Sequence, residues 1–264
     1  MIHNFDPVLL YLGPLPIRWY SLAYVLGIAL GLFYIKFLAR KIKLKFPPQF
    51  LDSIFYTIVI GIIIGGRLGH VLFYNPFEYF KNPIEIFKTW HGGMSFHGGA
   101  IGAVIAMIFV SKRYEVNYWK FLDLAACAAS IGIFFGRIAN FINGYLFGKP
   151  TDLPWGVVFI NTGGGPHSRH PSQIYEALAE GLLLFILLNF FLFKYKTYKK
   201  TRMLSSGFCI LYSLFRFAIE FFKEPEQHIG YVFGYFTMGQ LLSVMTIIIG
   251  VIILFGKPKK IFGK

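Results

Sequence analysis

Long apolar stretches recur along the whole chain, separated by segments rich in polar residues, glycine and proline. Each of these stretches approaches the length of about 20 residues that a helix needs to cross the hydrocarbon core of a bilayer. The pattern therefore predicts seven transmembrane helices. They lie near Ile17–Leu38, Phe50–Tyr74, Met94–Val110, Phe121–Ile142, Gln173–Phe193, Leu204–Phe222 and Phe236–Phe255.

The composition agrees with a membrane protein. Of the 264 residues, 56% are hydrophobic and only 14% are charged, and the mean hydropathy is +0.58. A soluble domain of this length needs more charge to solvate its surface. We therefore expect an all-α polytopic membrane protein that forms one domain over residues 1–264. The first ten residues lack a basic segment and a small-residue cleavage site, so we expect the first span to be retained.

The charge distribution predicts the orientation. Basic residues cluster after the first, third, fifth and seventh spans, whereas the opposite connections contain few. This is the positive-inside pattern, which places the N-terminus outside and the C-terminus in the cytoplasm. It also accounts for the net charge of +14 without nucleic-acid binding. The clustered residues are Arg40, Lys41, Lys43 and Lys45; Lys112, Arg113 and Lys120; Lys194, Lys196, Lys199, Lys200 and Arg202; and Lys257, Lys259, Lys260 and Lys264.

Two long connections lie on the predicted outer side. The segment Asn75–Gly93 contains amphipathic stretches that can lie in the membrane interface. The segment at about 144–172 contains the β-branched and aromatic run LPWGVVFI, which predicts a small extracytoplasmic cap with strand character. Cys127 and Cys209 lie among apolar neighbours, which is typical of buried, inert thiols.

Three arginines, Arg67, Arg137 and Arg216, occur inside predicted spans. An ionised side chain is costly in hydrocarbon and is kept mainly where it faces a polar cavity and binds something. Three such cations predict an anionic ligand, and the abundant anions of a bilayer are lipid phosphates.

Two of these arginines have a polar residue three or four positions further along the chain. Arg137 and Asn140 are three residues apart and share a helix face, so they can grip one polar group. The alternative is that Arg137 extends to the outer headgroups. Arg216 and Glu220 can form an ion pair four residues apart, which either orients the guanidinium for a phosphate or serves only as structural support.

The segment HGGMSFHGG places His97 between glycines at the start of the third span. This histidine is either a hydrogen-bonded structural residue or a group that takes a proton near neutral pH. In the second span Arg67 shares a face with His70. Glu176 and Glu180 of the fifth span can neutralise cations, although the sequence does not assign the pairs. HExxH and GxSxG motifs are absent from the sequence, and we expect no metal and no cofactor.

The chain resembles the prolipoprotein diacylglyceryl transferase family. The resemblance covers nearly the whole sequence in order, and its most specific elements are GGMSFHGG and GRIANFING. The other matching fragments are FDPVLLYLGPLPIRWY, GGRLGHVLFYN, RHPSQIYE, FRFAIEFFKEP and TMGQ. The family is similar in topology to the prediction above, with seven spans, an outside N-terminus and catalysis at the outer leaflet of the bacterial cytoplasmic (inner) membrane.

The resemblance implies an enzyme with a defined reaction. The family moves the diacylglyceryl group of phosphatidylglycerol onto the lipobox cysteine thiol in the signal peptide of a preprolipoprotein, and glycerol 1-phosphate leaves. The important residues that the resemblance implies are Tyr20, His97, Arg137, Asn140, Gly148, Arg216 and Glu220. We predict that His97, Arg137 and Arg216 are catalytic, with both arginines on the phosphate and His97 assisting deprotonation of the thiol. We predict that the substrate is bound by Arg137, Asn140, Tyr20, Gly98, Glu220, Arg67 and Gly148, of which Gly98 and Arg67 are not among the residues that the resemblance implies.

The sequence departs from the family pattern at three positions. Ala139 replaces a glycine, Lys223 stands where arginine is common, and Tyr145 stands where the family usually has glutamate. A phenol can donate a hydrogen bond but cannot act as a base at neutral pH. Tyr145 therefore leaves open a paralogue that binds lipid without catalysis, and the arginines inside the spans leave open a transporter of an organic anion.

Overall fold

The computed structural model describes residues 1–13, 15–73, 76–89, 92–225, 230–232 and 234–256, and this part of the chain is mostly helical. The helices are α1 (Trp19–Lys41), α2 (Phe50–Phe73), α3 (Pro76–Lys81), α4 (Phe96–Arg113), α5 (Tyr118–Asn143), α6 (Ser172–Glu176), α7 (Leu184–Lys194), α8 (Met203–Glu220) and α9 (Met238–Phe255). A π-helical segment, Ala177–Leu183, joins α6 to α7 without a break. Short 3₁₀ turns lie at Pro83–Phe87, Ile160–Thr162 and Thr197–Lys199.

Among the described residues, six helices are long and apolar enough to cross a membrane, which agrees with the prediction of a mostly helical protein with several spans. They are Trp19–Lys41, Phe50–Leu72, Tyr118–Asn143, Ser172–Lys194, Met203–Glu220 and Met238–Phe255. The third predicted span corresponds to α4, which is helical over 18 residues but is not one of the six. Its ends are polar, with His97 at one end and Lys112 and Arg113 at the other. The count of seven spans stays a prediction.

The strands of the described residues form three short hairpins. Strand β1 (Val8–Leu12) pairs antiparallel with β2 (Leu15–Arg18), directly before α1. The first predicted span, near Ile17–Leu38, agrees within three residues with α1, and the hairpin before it was not predicted because an apolar strand and an apolar helix look alike in composition. The other hairpins pair β3 (Val157–Val158) with β4 (Ser168–Arg169), and β5 (Tyr231–Val232) with β6 (Phe236–Thr237).

The segment at 144–172 has the predicted strand character. In addition to the β3–β4 pair, the N-terminal segment joins it, because the amide of His3 donates to the carbonyl of Val158 at 2.9 Å. The His3 ring is buried and contacts the Phe141 carbonyl oxygen through Nε2 at 2.7 Å. Two fully buried side chains fix the start of α6: Ser172 donates to the carbonyl of Leu146, and Gln173 donates to that of Tyr145.

The chain divides into two compact units, each with its own packing. The first contains Met1–Leu38 and Asp123–Lys257, and the second contains Ala39–Leu122. In the first unit, α1 and α5 approach closely at Gly27 and Gly132, where a Cβ added to Gly27 would lie 3.0 Å from the Cα of Gly132.

Asp123 connects α5 to α8 in this first unit. Its carboxylate accepts hydrogen bonds from the backbone amides of Arg202 and Ser205 at 2.7 and 2.8 Å and from the Ser205 hydroxyl at 2.6 Å. A carboxylate at this position satisfies amides of the first turn of α8, which lack partners within the helix. The contact fixes the end of α8 that is opposite to Glu220.

The second unit is built on direct backbone contact between α2 and α4. Gly61 and Gly65 of α2 face Gly98 and Gly102 of α4. A Cβ on Gly61 would lie 2.6 Å from the carbonyl oxygen of Gly102, and a Cβ on Gly98 would overlap the carbonyl of Gly65. Small residues at this spacing allow helix backbones to pack closely within a membrane.

Candidate functional site

The first unit contains a cluster of buried charged side chains from three helices. Arg137 comes from α5, Glu176 and Glu180 come from α6 and the π-helical segment, and Arg216 and Glu220 come from α8. Both α5 and α8 contribute residues near their C-terminal ends, whereas Glu176 and Glu180 lie near the beginning of the continuous helix Ser172–Lys194. The cluster therefore lies at the end of these helices that carries the 144–172 segment.

Arg137 contacts both carboxylates of the neighbouring helix. Its Nη1 lies 3.2 Å from Glu176 Oε2, and its Nη2 lies 2.9 Å from Glu180 Oε2. Both glutamates are fully buried. A carboxylate without solvent requires such cationic partners, so these contacts fix the plane of the guanidinium.

Arg216 meets three carboxylates. Its Nη1 forms an ion pair with Glu176 Oε1 and lies 3.7 Å from Glu180 Oε1, while its Nη2 lies 3.2 Å from Glu220 Oε2. Lys223, just beyond α8, places its Nζ 3.0 Å from Glu176 Oε1. Burial lowers the pKa of the Lys223 ammonium, and the carboxylate of Glu176 opposes that shift.

The two arginines keep donors for a ligand. The contacts above engage the Nη atoms, and none of them engages Nε of Arg137 or Arg216. The side chains of Arg137 and Arg216 are 16% and 19% exposed, although the carboxylates of Glu176 and Glu180 behind them are not exposed at all. A guanidinium has five N–H donors, so each can bind an anion on its accessible side while the carboxylates orient it from behind.

The carboxylate of Glu220 is supported by the beginning of α9. Thr237 caps this helix, since its hydroxyl accepts from the amide of Gln240 and the Gln240 side chain accepts from the amide of Thr237. Gly239 lies in this first turn, and a Cβ there would be 2.5 Å from Glu220 Oε1. A helix N-terminus favours a negative charge. This contact gives the TMGQ fragment a physical role beside the cluster.

Other predicted site residues of this unit lie outside the ion-pair contacts. Asn140 is one turn beyond Arg137 on α5 and is partly exposed. On α1, the hydroxyl of Tyr20 is 3.0 Å from that of Tyr24. The roles of Asn140 and Tyr20 in substrate binding stay predictions.

Gly148 allows two backbone segments to meet. Its amide donates to the carbonyl of His170 at 2.9 Å, and a Cβ on Gly148 would lie 2.7 Å from the Cβ of His170. The Gly148 backbone also pairs with Lys223. This geometry gives the glycine a packing role beside the cluster, and its predicted contact with substrate is untested.

Tyr145 projects outward, with 59% of its surface exposed. It lines an open cleft of about 350 Å³ together with residues of the N-terminal segment and of the 144–172 segment. Its carbonyl, rather than its phenol, is tied to the fold, through Gln173.

The remaining predicted site residues belong to the second unit. Arg67 donates from Nε to the carbonyl of Ile86 at 2.9 Å, from Nη1 to those of Gly92 and Gly93, and from Nη2 to those of Glu85 and Lys88. Its whole donor set therefore meets backbone oxygens, and the described geometry favours a structural role over the predicted substrate contact.

His97 is the second residue of α4, and its side chain lies outside the part of the chain that the structure describes. Gly98, predicted to bind substrate, lies against α2, where its Cβ would be 3.0 Å from the Cα of Gly69. The proton-transfer role of His97 and the substrate contact of Gly98 both stay predictions.

Sequence reasoning missed the central position of Glu176. It identified Glu176 and Glu180 as possible counter-ions, but it did not predict that Glu176 meets Arg137, Arg216 and Lys223 at once. Two carboxylates at i and i+4 in an otherwise apolar span were the available signal, because buried charges require partners.

The fold and the cluster together define a polytopic helical membrane protein with a buried arginine–carboxylate site. The model of the prolipoprotein diacylglyceryl transferase family matches residues 7–256, and the chain belongs to this family. The chain is 51% identical to a phosphatidylglycerol–prolipoprotein diacylglyceryl transferase of Rickettsia akari, over 94% of this chain and 95% of the relative. It is 50% identical to the protein of the same name from Rickettsia felis, with the same coverage, and 49% identical to that from Rickettsia bellii, over 94% of each.

Proposed function

We propose that this protein transfers the diacylglyceryl group of phosphatidylglycerol to the lipobox cysteine of a preprolipoprotein. The cysteine sulfur forms a bond to the glyceryl carbon, the bond between that carbon and the phosphate oxygen breaks, and glycerol 1-phosphate leaves. The thiol proton is lost in the same overall reaction. The product is a lipoprotein precursor that carries the diacylglyceryl group in a thioether bond. This reaction is the first step of lipoprotein maturation.

The observation that supports this proposal is the oriented pair of Arg137 and Arg216. Negative charge grows on the phosphate as its bond to the glyceryl carbon breaks. Fixed donors that point to a developing charge stabilise the transition state most where water is scarce. Because Glu176 holds both guanidinium groups before substrate arrives, little reorganisation is needed when the phosphate binds.

The other predicted residues have supporting roles in this proposal. His97 assists removal of the thiol proton, since the thiolate is the nucleophilic form of cysteine. Asn140 and Tyr20 contact the lipid headgroup, and Gly98 and Gly148 allow close approach of backbone to the substrates. Glu220 orients Arg216 through the contact at 3.2 Å.

The proposed setting is the outer leaflet of the bacterial cytoplasmic (inner) membrane. Six apolar helices fit a multi-pass membrane protein, and α4 would provide the seventh span. The basic residues at the ends of α1 and α4 support a cytoplasmic location of those ends, since positive charge accumulates on that side. The N-terminus and the cluster of Arg137 and Arg216 then lie on the outer side.

The direct test supplies purified protein with phosphatidylglycerol and a lipobox peptide and measures released glycerol phosphate. We expect release that requires the peptide and stops when its cysteine is replaced by serine. A protein with Tyr145 that binds the lipid without release, beside an active relative that carries glutamate, would instead support a lipid-binding paralogue.

A further inference from the structure

Arg67 differs from the other two arginines of the predicted spans. It is only 4% exposed, and its five N–H donors each meet a backbone carbonyl oxygen. Since a guanidinium has five donors and no more, Arg67 has no donor left for a phosphate while these contacts persist. Arg137 and Arg216, in contrast, meet carboxylates and remain partly exposed.

The five acceptors lie along one segment of chain that leads to α4. Three of them belong to Glu85, Ile86 and Lys88, at the end of the 3₁₀ turn. The other two belong to Gly92 and Gly93, which lie shortly before α4 begins. One side chain of α2 therefore joins both ends of this segment.

The backbone at Gly92 and Gly93 depends on this support. Both residues have positive φ, +84° and +82°, a conformation that glycine adopts readily and other residues rarely. A Cβ on Gly93 would lie 2.7 Å from Nε2 of His70 and 2.9 Å from Nη1 of Arg67. The turn at Gly92 and Gly93 therefore packs directly against the side chains of Arg67 and His70, which share one face of α2.

The same face of α2 holds the first turn of α4. The amide of Ser95 donates to the carbonyl of Gly66 at 2.8 Å, and the Ser95 hydroxyl accepts from the amide of Gly98 at 3.3 Å, which caps the helix. His97 lies in this turn, two residues after Ser95. The place of its backbone is therefore set by contacts with Arg67 and its neighbours in α2.

We infer that Arg67 is a positioning residue for His97, which fixes the start of α4 through the carbonyls of Gly92 and Gly93, and is not a ligand of the lipid phosphate. The inference rests on the proposed role of His97 in thiol deprotonation. In Arg67→Lys the compact ammonium has only three donors, so it cannot bind the carbonyls near the 3₁₀ turn and those of Gly92 and Gly93 at the same time.

The test is a double-mutant cycle of Arg67→Gln and His97→Gln in the full-length protein, with turnover measured against phosphatidylglycerol and a lipobox peptide. We expect Arg67→Gln to lower kcat about tenfold, since misplacement of a reacting group has effects of this size or larger. The KM for phosphatidylglycerol should stay at the wild-type value. In the His97→Gln background the same change should cause little further loss. Arg113→Gln, an exposed arginine at the other end of α4, is the matched control and should behave as wild type.

A second readout reports on the segment without turnover. Hydrogen exchange of the amides between Gly93 and Gly99 should accelerate in Arg67→Gln and not in Arg113→Gln. Arg67→Lys should give intermediate exchange and intermediate kcat, and it replaces the glutamine variant if that protein does not fold.

Several results would overturn the inference. Three results for Arg67→Gln would each contradict the positioning role of Arg67. They are a raised KM for phosphatidylglycerol, an equal loss of kcat in the wild-type and His97→Gln backgrounds, and unchanged hydrogen exchange between Gly93 and Gly99. Full activity of His97→Gln would also overturn it, because the residue to be positioned would then have no role. Absence of turnover in the wild-type protein would remove the proposed function and the inference together, whereas these other results leave the transferase intact.

Discussion

Glu176 organises the charged cluster at the level of single residues. Its fully buried carboxylate meets cations from α5, α8 and the segment after α8. Removal of one partner from a buried ion pair costs about 3–5 kcal/mol, because the other charge is left without compensation. The arrangement therefore keeps both arginines in place without substrate, and their remaining donors can act on a phosphate.

Gly239 is expected to affect activity because it leaves room for the carboxylate of Glu220. In Gly239→Ala the new Cβ would lie 2.5 Å from Oε1 and 2.6 Å from Cδ of Glu220. The carboxylate must then move, and its contact with Arg216 at 3.2 Å is disturbed. We predict a loss of about tenfold in kcat/KM, in the range expected when an oriented catalytic group is displaced.

Gly207→Ala is the matched control for this change, because its Cβ would meet only the Leu188 side chain at 3.6 Å, an ordinary contact. The glycerol-phosphate assay measures both variants, and thermal unfolding in detergent verifies that both are folded. Wild-type turnover of folded Gly239→Ala would show that the position of Glu220 does not affect Arg216.

At the level of elements, the contact between α2 and α4 depends on glycines at fixed positions. A Cβ on Gly98 would overlap the carbonyl of Gly65 and lie 3.0 Å from the Cα of Gly69, whereas a Cβ on its neighbour Gly99 would lie 3.5 Å from both Cγ2 and the carbonyl oxygen of Ile62, which is an ordinary contact distance. The methyl group of an alanine fits at ordinary contact distance at Gly99 but overlaps backbone at Gly98, so the two positions should respond differently to the same substitution.

We predict that Gly98→Ala lowers the thermal stability of the protein in detergent, by about 1–3 kcal/mol in free energy of unfolding, the usual cost of overpacking. Gly99→Ala should remain close to wild type. Equal melting temperatures for the two variants would contradict the packing role of Gly98.

For the whole molecule, the sequence predicted the helices well because apolar length is a local property. The fifth span, predicted at Gln173–Phe193, agrees within one residue with the observed helix Ser172–Lys194. The N-terminal hairpin was missed, because the pairing of Val8 with Arg18 is a contact between strands and the run through Ile17 has the composition of a span.

The candidate site was only partly predictable for a similar reason. The presence of Arg137, Arg216 and Glu220 follows from charges within apolar runs. Their connection through Glu176, 39 residues after Arg137 in the chain, depends on which helices are neighbours, and periodicity does not determine that. Arg67 has the same local pattern as Arg137. Only the contacts in the structure distinguish Arg67, which binds backbone carbonyls, from Arg137, which is a candidate phosphate-binding residue.

The central claim is that Arg137 and Arg216 hold the phosphate that leaves. The most direct measurement compares kcat/KM for glycerol-phosphate release between wild type, Arg137→Gln, Arg216→Gln and the exposed control Arg113→Gln. We predict that each of the first two variants loses about a hundredfold or more, as when a donor to developing charge is removed, and that the control keeps wild-type activity. Wild-type turnover in folded Arg137→Gln or Arg216→Gln would contradict the account.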